Sequence, residues 1–525
     1  MLALTAAFAG TGCTAAGGPG GGGPTGAALA PRGPGATAGA TATASPSSAP
    51  PASSPNNPAA TPSRGELSWT ECEGGFECAT LDVPRDHERP ADGDVALEVV
   101  RLPAADRGKR VGSLVVNPGG PGGSGVRYAR AAAQVITAKV RNSFDIVGFD
   151  PRGVGMSEPV DCLDDAELDT FLAVDGSPDS ARERKQLARE ARQFAAGCGR
   201  RTGELLPHLS TADVARDMDL LREALGEERL NYLGKSYGTL LGATYAELFP
   251  ERVGRLVLDG AIDPTLTGGE IGLAQAEGFE GALRAFVRDC RALEDCPLRG
   301  GPTADVRSGV GQVADLLADV DRTPLSGGQD RKLTQSLALL GVAAALYDEA
   351  SGWPALRVAL SRAFDGDGSV LLVLADFYTD RQRDGSYSGN QNEVAYAVNC
   401  LDRAEPTDVD AYAADAREFA RRSPLFGAYV AWSGLPCAFW PAPPDSGPHP
   451  IRAPGAAPIL VVGTVRDPAT PYVWAQALAE QLESGVLLSY DGDGHTAYAR
   501  GSSCIDDAVE RYLIEGELPA EGTVC

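Results

Sequence analysis

A Gly-Lys-Ser-Tyr-Gly sequence at 234–238 combines residue types that can make a serine reactive. A short apolar run at 230–233 precedes it and a helical pattern of apolar residues follows it, which predicts a strand, a sharp turn and a helix. Such a turn holds the serine hydroxyl clear of both elements, and each flanking glycine removes a Cβ that would collide with neighbouring backbone. Ser236 is therefore the candidate nucleophile. The chain has 64 glycines in 525 residues, so this short pattern also arises by chance and needs support from partner residues.

A nucleophilic serine needs a general base and a carboxylate that orients the base. Three of the four histidines precede the serine or lie in a proline-rich segment: His87, His208 and His449. The fourth, His495, follows a late strand pattern, and Asp467 follows the strand pattern before it. The chain order serine, aspartate, histidine is typical of a strand-turn-helix nucleophile. The sequence therefore predicts His495 as the base and Asp467 as the acid, with Asp263 as the alternative acid.

The segment Asn-Pro-Gly-Gly-Pro-Gly-Gly-Ser-Gly at 117–125 follows a strand pattern at 112–116. Glycines at these positions let the backbone pass close to a ligand with its amides pointing inward, as an oxyanion hole requires. A phosphate-binding loop is the alternative interpretation. The segment lacks the Lys-Ser/Thr ending of a Walker sequence and the spacing of a dinucleotide-binding loop, so the oxyanion hole is favoured.

The formal charge of −25 restricts the partners of this chain. It argues against nucleic acid and anionic membrane surfaces as partners, because like charges repel. It favours substrates that carry a free amine or another cation, although acidic surfaces also serve solubility alone.

The N-terminal segment indicates export. Residues 1–13 are small and apolar and end at Cys13, and residues 14–63 are rich in Gly, Pro, Ala, Ser and Thr. These patterns predict an export signal and then a disordered spacer. Gly-Thr-Gly before Cys13 is an irregular lipobox, which leaves both simple secretion and membrane anchoring through a lipid on Cys13 open. No later run is long and apolar enough to span a bilayer, so we expect the protein to be secreted or on the outer face of the envelope.

The cysteines support the same location. Besides Cys13 there are ten, and they form near neighbours along the chain: Cys72 and Cys78, Cys162 and Cys198, Cys290 and Cys296, Cys400 and Cys437, Cys504 and Cys525. An even number of cysteines predicts disulfides and an oxidising compartment, although proximity alone does not fix their connectivity. A metal site is the weaker alternative, because no CxxC occurs and the histidines are scattered.

Strand and helix patterns alternate through much of the chain. Apolar strand patterns lie at 78–83, 94–102, 112–116, 144–149, 230–233, 255–259, 458–462 and 485–490. Such strands between helices predict an α/β fold with a mostly parallel sheet covered on both faces. From 265 to 456 helical patterns prevail, for example at 273–293 and 333–347, and a last helix is predicted at 506–513. We therefore expect a hydrolase domain in two parts, 66–264 and 457–525, with an inserted helical cap at 265–456.

Several longer motifs resemble one family. They are NPGGPGGSG, DPRGVGMS at 150–157, GKSYGT, VNCLD at 398–402, GTVRDPATPY at 463–472, GDGHTAY at 492–498 and the final SSC and cysteine. Together they resemble the secreted actinobacterial tripeptidyl aminopeptidases, which are α/β hydrolases related to prolyl aminopeptidases. The resemblance covers most of the chain from about residue 69 to the end. It implies that Ser236, Asp467 and His495 form a catalytic triad and that the cap selects substrates with a free N-terminus.

The reaction implied by this resemblance is acyl transfer without a cofactor or metal. The backbone amides of Tyr237 and Gly120, aided by Gly119, are expected to hold the oxyanion. An aminopeptidase must also bind the substrate ammonium with a carboxylate from the cap, and Glu393 and Asp402 are the candidates. Each of these two acids also fits a solvated surface role.

Two other functions remain open. A secreted esterase or lipase would use the same triad and oxyanion hole with a differently lined cap. A non-catalytic envelope-binding protein on a hydrolase scaffold would need none of the three catalytic groups, which argues against it.

Overall fold

The computed structural model describes residues 65–303, 305–328 and 330–525. The predicted export signal 1–13, with Cys13, and the predicted spacer 14–63 lie outside these residues. In the described ranges the strands are β1 (Thr70–Cys72), β2 (Phe76–Pro84), β3 (Asp94–Leu102), β4 (Gly112–Asn117), β5 (Phe144–Phe149), β6 (Leu230–Lys235), β7 (Val253–Asp259), β8 (Leu325–Gly328), β9 (Arg331–Leu333), β10 (Ile459–Arg466) and β11 (Gly485–Asp493).

The helices surround these strands. They are α1 (Gly125–Arg130), α2 (Ala132–Val135), α3 (Ala138–Ser143), α4 (Asp165–Ala173), α5 (Ala181–Arg201), α6 (Thr211–Ala224), α7 (Tyr237–Leu248), α8 (Gly268–Arg291), α9 (Val306–Arg322), α10 (Gln335–Leu346), α11 (Gly352–Phe364), α12 (Ser369–Tyr378), α13 (Gln391–Asp402), α14 (Val409–Arg422), α15 (Gly427–Ser433), α16 (Tyr472–Gln481) and α17 (Ser503–Glu515).

Nine strands form the central sheet, in the order β1-β2-β3-β5-β4-β6-β7-β10-β11. The pairs from β1 to β5 are antiparallel, and all pairs from β5 to β11 are parallel. The carboxyl ends of parallel strands meet at one edge of a sheet, where ligands bind in open α/β folds. The connections that follow β4, β6, β7 and β10 therefore reach the same edge.

Helices cover both faces of the parallel strands. Strands β4 and β5 are buried at every position, so their sequences are mostly apolar and do not alternate with polar residues. On one face Val115 packs in a core with Met218 of α6 and Leu241 of α7. On the other face Val116 packs in a core with Val509 of α17. The predicted α/β class, with a mostly parallel sheet between helical layers, is confirmed.

Helices α8 to α15 lie between β7 and β10 in the chain and form the cap. The cap has its own apolar core, built around residues such as Phe279, Phe286, Leu340 and Trp353. A two-stranded sheet, β8 and β9, lies within it, with Leu325 paired to Leu333. The sequence did not predict this small sheet within the expected helical cap. Each of the two strands has only three or four residues, too few for a strand period to stand out in the sequence.

A segment from the N-terminal part of the hydrolase domain also packs on the cap. Helix α5 contributes Leu187 and Ala191 to a small core with Tyr412 and Trp432. The helix begins at a capping box, in which Ser180 and Glu183 satisfy each other's backbone amides. Helix α5, which precedes the sequence interval 265–456, thus packs with residues of the cap.

Five disulfides join the ten cysteines in the near-neighbour pairs described above. Two of them lie within the cap interval: Cys290–Cys296 links α8 to the segment after it, and Cys400–Cys437 links α13 to the segment after α15. Cys162–Cys198 joins the segment before α4 to α5, which also packs on the cap. Within the described residues no helix is both long and apolar enough to cross a bilayer, and no cluster of metal-ligating side chains occurs.

Candidate active site

Ser236 lies in the turn between β6 and α7. Its backbone has φ 55° and ψ −124°, a conformation that only a constrained turn imposes on a non-glycine residue. A Cβ at Gly234 would lie 2.3 Å from the carbonyl oxygen of Gly238, and a Cβ at Gly238 would lie 2.9 Å from Oδ1 of Asn117. Both glycines are therefore required by close backbone packing, as expected for a nucleophile elbow.

Asp467 and His495 are hydrogen-bonded to each other. Asp467 follows β10, and its two carboxylate oxygens each lie 2.9 Å from Nδ1 of His495. The carboxylate also accepts the N–H groups of Ala469 at 2.9 Å and Thr470 at 2.8 Å, and the Thr470 hydroxyl at 3.0 Å. These donors fix the carboxylate so that it holds the proton of His495 on Nδ1 and leaves Nε2 as a base.

Nε2 of His495 is buried and has no hydrogen-bond partner among the described residues. The Ser236 N–H donates to the Asp259 carbonyl at 2.9 Å, and a Cβ on the next residue, Gly260, would lie 3.3 Å from Cε1 of His495. The structure therefore brings His495 against the strand end that holds Ser236, without a direct hydrogen bond between their side chains. Catalytic hydrogen bonds are often long in ligand-free enzymes and shorten when substrate binds.

The glycine-rich loop after β4 packs directly against the nucleophile turn. A Cβ at Gly119 would lie 2.4 Å from the carbonyl oxygen of Lys235 and 3.0 Å from the amide nitrogen of Tyr237, so only glycine fits there. The N–H of Gly119 donates to Oδ1 of Asn117 at 2.8 Å. This amide is thus committed within the protein, and the expectation that Gly119 aids the oxyanion hole does not fit its contacts. Gly120 and Tyr237 line the pocket together with Ser236.

A buried ion pair ties the His495 loop to the nucleophile strand. Lys235 Nζ donates to the carbonyl of Tyr498 at 2.7 Å and lies 3.6 Å from the carboxylate of Asp259. That carboxylate accepts the N–H groups of Ala497 at 2.9 Å and Tyr498 at 3.0 Å. Burial lowers the pKa of Lys235, while Asp259 opposes this change. The ends of β6 and β7 therefore position the loop that carries His495.

Glu393 and Asp402, the candidates for ammonium binding, do not face the Ser236 pocket. Glu393 is buried, and its carboxylate accepts the N–H groups of Cys162 at 2.7 Å and Leu163 at 3.1 Å. Asp402 accepts the N–H of Thr211 at 2.8 Å and its hydroxyl at 2.5 Å. Both acids join α13 to the hydrolase domain, which explains why polar residues stand on this buried helix. The alternative catalytic acid, Asp263, accepts hydrogen bonds from Thr265 and Gln481 rather than from His495.

We expect Glu393→Gln to remove a pH dependence of stability. Burial raises the pKa of Glu393 to about 7, above its value in the unfolded chain. Between these two pKa values the folded state keeps a proton on Glu393 that the unfolded state has lost. Stability from this group is present at pH 4 and is lost as pH rises towards 7, at about 1.4 kcal/mol per unit of pKa difference. Glutamine keeps the acceptor for Cys162 without the charge. The variant should therefore melt at a higher temperature than the wild type at pH 8 and at a similar temperature at pH 5.

Calorimetry at the two pH values tests this expectation. Equal melting temperatures of the variant and the wild type at pH 8 would contradict it. The same variant should leave KM for free-amine peptides unchanged, because Glu393 does not reach the pocket.

The pocket around Ser236 also contains Asn399 of the VNCLD motif and four cap residues that the sequence did not mark: Ile271, Gln275, Tyr347 and Arg403. They come from three helical segments and meet only in the folded chain. One sequence signal was present, since Gln275 is a polar residue between Ile271 and Phe279 on the buried stripe of α8.

The fold and these contacts together define a serine hydrolase of the α/β hydrolase class. Comparisons with known proteins give the family. The family model described as "TAP-like protein" matches residues 423–525. "Serine protease Hip1" of Mycobacterium tuberculosis is 41% identical over 488 residues, which cover 89% of this chain and 92% of the relative. "Tripeptidyl aminopeptidase" of Streptomyces lividans is 34% identical over 479 residues, which cover 89% of this chain and 88% of the relative.

Two further known proteins are similar to this chain. "Carboxylesterase B" of Mycobacterium tuberculosis is 38% identical over 480 residues, covering 88% of this chain and 90% of the relative. The solved structure of a thermophilic esterase from Thermogutta terrifontis aligns with 83% of this chain and 98% of its own at 12% identity, with a TM-score of 0.35. By its similarity to the curated relatives, the chain belongs to the family of TAP-like α/β hydrolase serine peptidases, and the family resemblance drawn from its motifs is confirmed.

Proposed function

We propose that this serine hydrolase is an exopeptidase that releases short peptides, tripeptides in particular, from free N-termini. The observation that carries the proposal is the Ser236 pocket, which lies between the nucleophile turn and cap residues such as Ile271 and Tyr347. A cap above the nucleophile limits the length of chain that fits on the acyl side of the scissile bond. The relative named tripeptidyl aminopeptidase, similar over nearly its whole length, supports the same activity.

The proposed reaction is acyl transfer through Ser236. His495 Nε2 takes the hydroxyl proton while the oxygen attacks the scissile carbonyl, and Asp467 stabilises the resulting imidazolium. The amides of Tyr237 and Gly120 are the proposed donors to the oxyanion. His495 then gives its proton to the leaving amine, and a water molecule, deprotonated by His495, hydrolyses the acyl enzyme and restores Ser236.

An esterase is the second candidate function. The relative named Carboxylesterase B is more similar in sequence to this chain than the relative named tripeptidyl aminopeptidase. The same triad and oxyanion hole cleave esters, so the lining of the cap decides between the two substrate classes. A non-catalytic binding protein is disfavoured, since it would not need the hydrogen bonds that orient Asp467 and His495.

A matched series of chromogenic substrates tests the proposal. Substrates with one, two and three residues on one leaving group, each with a free or an acetylated N-terminus, are compared with a short-chain ester. We expect the free-amine tripeptide to have the highest kcat/KM of the peptides and acetylation to lower it by tenfold or more, about 1.4 kcal/mol of binding free energy. Indifference to acetylation, with the ester cleaved fastest, would establish the esterase instead.

Export is proposed together with this activity. The five disulfides fit an oxidising compartment outside the cytoplasm. Lipid attachment at Cys13, and with it membrane anchoring, stays a prediction from the sequence, because Cys13 lies outside the described residues.

A further inference from the structure

The side-chain amide of Gln275 in α8 has a hydrogen-bond partner for its nitrogen but, among the described residues, none for its oxygen. Nε2 donates to the carbonyl of Ala469 at 2.9 Å, and exchanging the two amide atoms would set an oxygen against that carbonyl. Oε1 has no hydrogen-bond partner among the described residues, and the residue is only 9% exposed. Native proteins rarely leave a buried amide oxygen unsatisfied, because its lost hydration is not replaced. This oxygen is therefore an acceptor that the protein itself leaves unused.

The pocket that Gln275 lines is the one that contains Ser236. Among its lining residues in the described chain none is a carboxylate, and the one charged residue is Arg403. Arg403 is buried, and its Nε donates to the Leu266 carbonyl at 3.1 Å. Burial lowers its pKa, but a guanidinium remains charged at neutral pH. The pocket thus combines a neutral acceptor with a cation.

The geometry points to Gln275 as a specificity-determining residue that accepts a backbone N–H of the substrate. The donor is the nitrogen of the residue that supplies the scissile carbonyl, because both Gln275 and Ser236 face one small pocket. The inference rests on the proposed peptidase function and deepens it. Tyr347, whose buried hydroxyl also has no partner among the described residues, lines the same pocket.

The number of residues released decides whether this substrate nitrogen is a charged ammonium or a neutral amide. When a single residue is released, that nitrogen is an ammonium, which needs a carboxylate, and the described lining of this pocket contains none. When two or three residues are released, it is a neutral amide N–H, which pairs well with the amide oxygen of Gln275. Gln275 therefore favours substrates whose reacting residue is already joined to a preceding one.

The test pairs one change in the substrate with one in the protein. A tripeptide substrate is compared with its analogue in which the N–H of the third residue is replaced by oxygen. We expect the wild type to lose about tenfold in kcat/KM on this replacement. In Gln275→Leu the kcat/KM of the normal tripeptide should fall to that of the analogue, so that the values for the two substrates differ by less than about twofold.

Gln193→Leu is the matched control, since Gln193 is an exposed amide on helix α5. This variant should keep the full tenfold difference between the two substrates. Both substrates are made as nitroanilides and as nitrophenyl esters. Cleavage of the esters alone would overturn the proposed peptidase activity and still allow the N–H comparison.

Two outcomes would overturn the inference itself. The first is a wild type that cleaves the tripeptide and its oxygen analogue equally well. The second is a Gln275→Leu variant that loses the same factor on both substrates and on nitrophenyl acetate, with the tenfold difference intact. In that case Gln275 would act only by supporting the Asp467 loop through Ala469.

Discussion

Ser236→Ala is expected to lower kcat/KM by roughly 10⁴- to 10⁶-fold, the largest effect of any single change in this protein. The hydroxyl is the attacking atom in the proposed reaction, and alanine leaves only the oxyanion hole and substrate binding to stabilise the transition state. The side chain is small, and the backbone of the turn is held by the Ser236 N–H donated to Asp259, so the fold should persist. The rate is measured with the best substrate of the chromogenic series.

A fluorophosphonate probe provides an independent measurement for the same variant. It should label the wild type at Ser236 and leave Ser236→Ala unlabelled. Ser361→Ala is the matched control, because Ser361 is exposed on helix α11 of the cap, and it should keep both labelling and activity. Labelling of Ser236→Ala with full activity would mean that another residue is the nucleophile.

Asp467→Asn is expected to lower kcat by about 10⁴-fold. Asparagine has nearly the same shape, and its oxygen can still accept the N–H groups of Ala469 and Thr470. Its amide nitrogen would donate to His495 Nδ1 and move the ring proton to Nε2, where the histidine can no longer act as a base. The loss should therefore appear in kcat with a small change in melting temperature.

Asp263→Asn is the control for this prediction, since Asp263 is the other acid that the sequence allows. It accepts from Thr265 and Gln481 in a turn, so its variant should keep kcat within about twofold. If Asp263→Asn lost activity and Asp467→Asn retained it, the assignment of the catalytic acid would be reversed.

The elements that carry the site were predictable because their signals are local. The strand before Ser236 and the helix after it are set by apolar spacing, and the turn between them is set by two glycines whose Cβ atoms would clash. Asp467 and His495 follow strands β10 and β11, and parallel strands bring such residues to one edge of the sheet. The sequence therefore predicted which residues meet there without any knowledge of the cap.

The roles of the cap residues were not predictable in this way. Glu393 was a candidate ligand for the substrate ammonium because it is acidic and precedes a family motif. Only packing showed that it accepts the N–H groups of Cys162 and Leu163. Gln275 and Arg403 do line the pocket. Gln275 lies in α8 and Arg403 directly follows α13, and neither belongs to a motif.

The sequence by itself determined the fold class and the residues proposed for catalysis, because these depend on periodicity, turn chemistry and order along the chain. Its longer motifs indicated the family by resemblance. The tertiary structure decided which polar groups are free to bind substrate. The sequence identifies Gln275 as an amide and Asp402 as a carboxylate. It does not tell that the Gln275 oxygen has no partner among the described residues, whereas Asp402 accepts the N–H of Thr211. That difference depends on distant segments that pack together only in the folded chain, so no local pattern in the sequence records it.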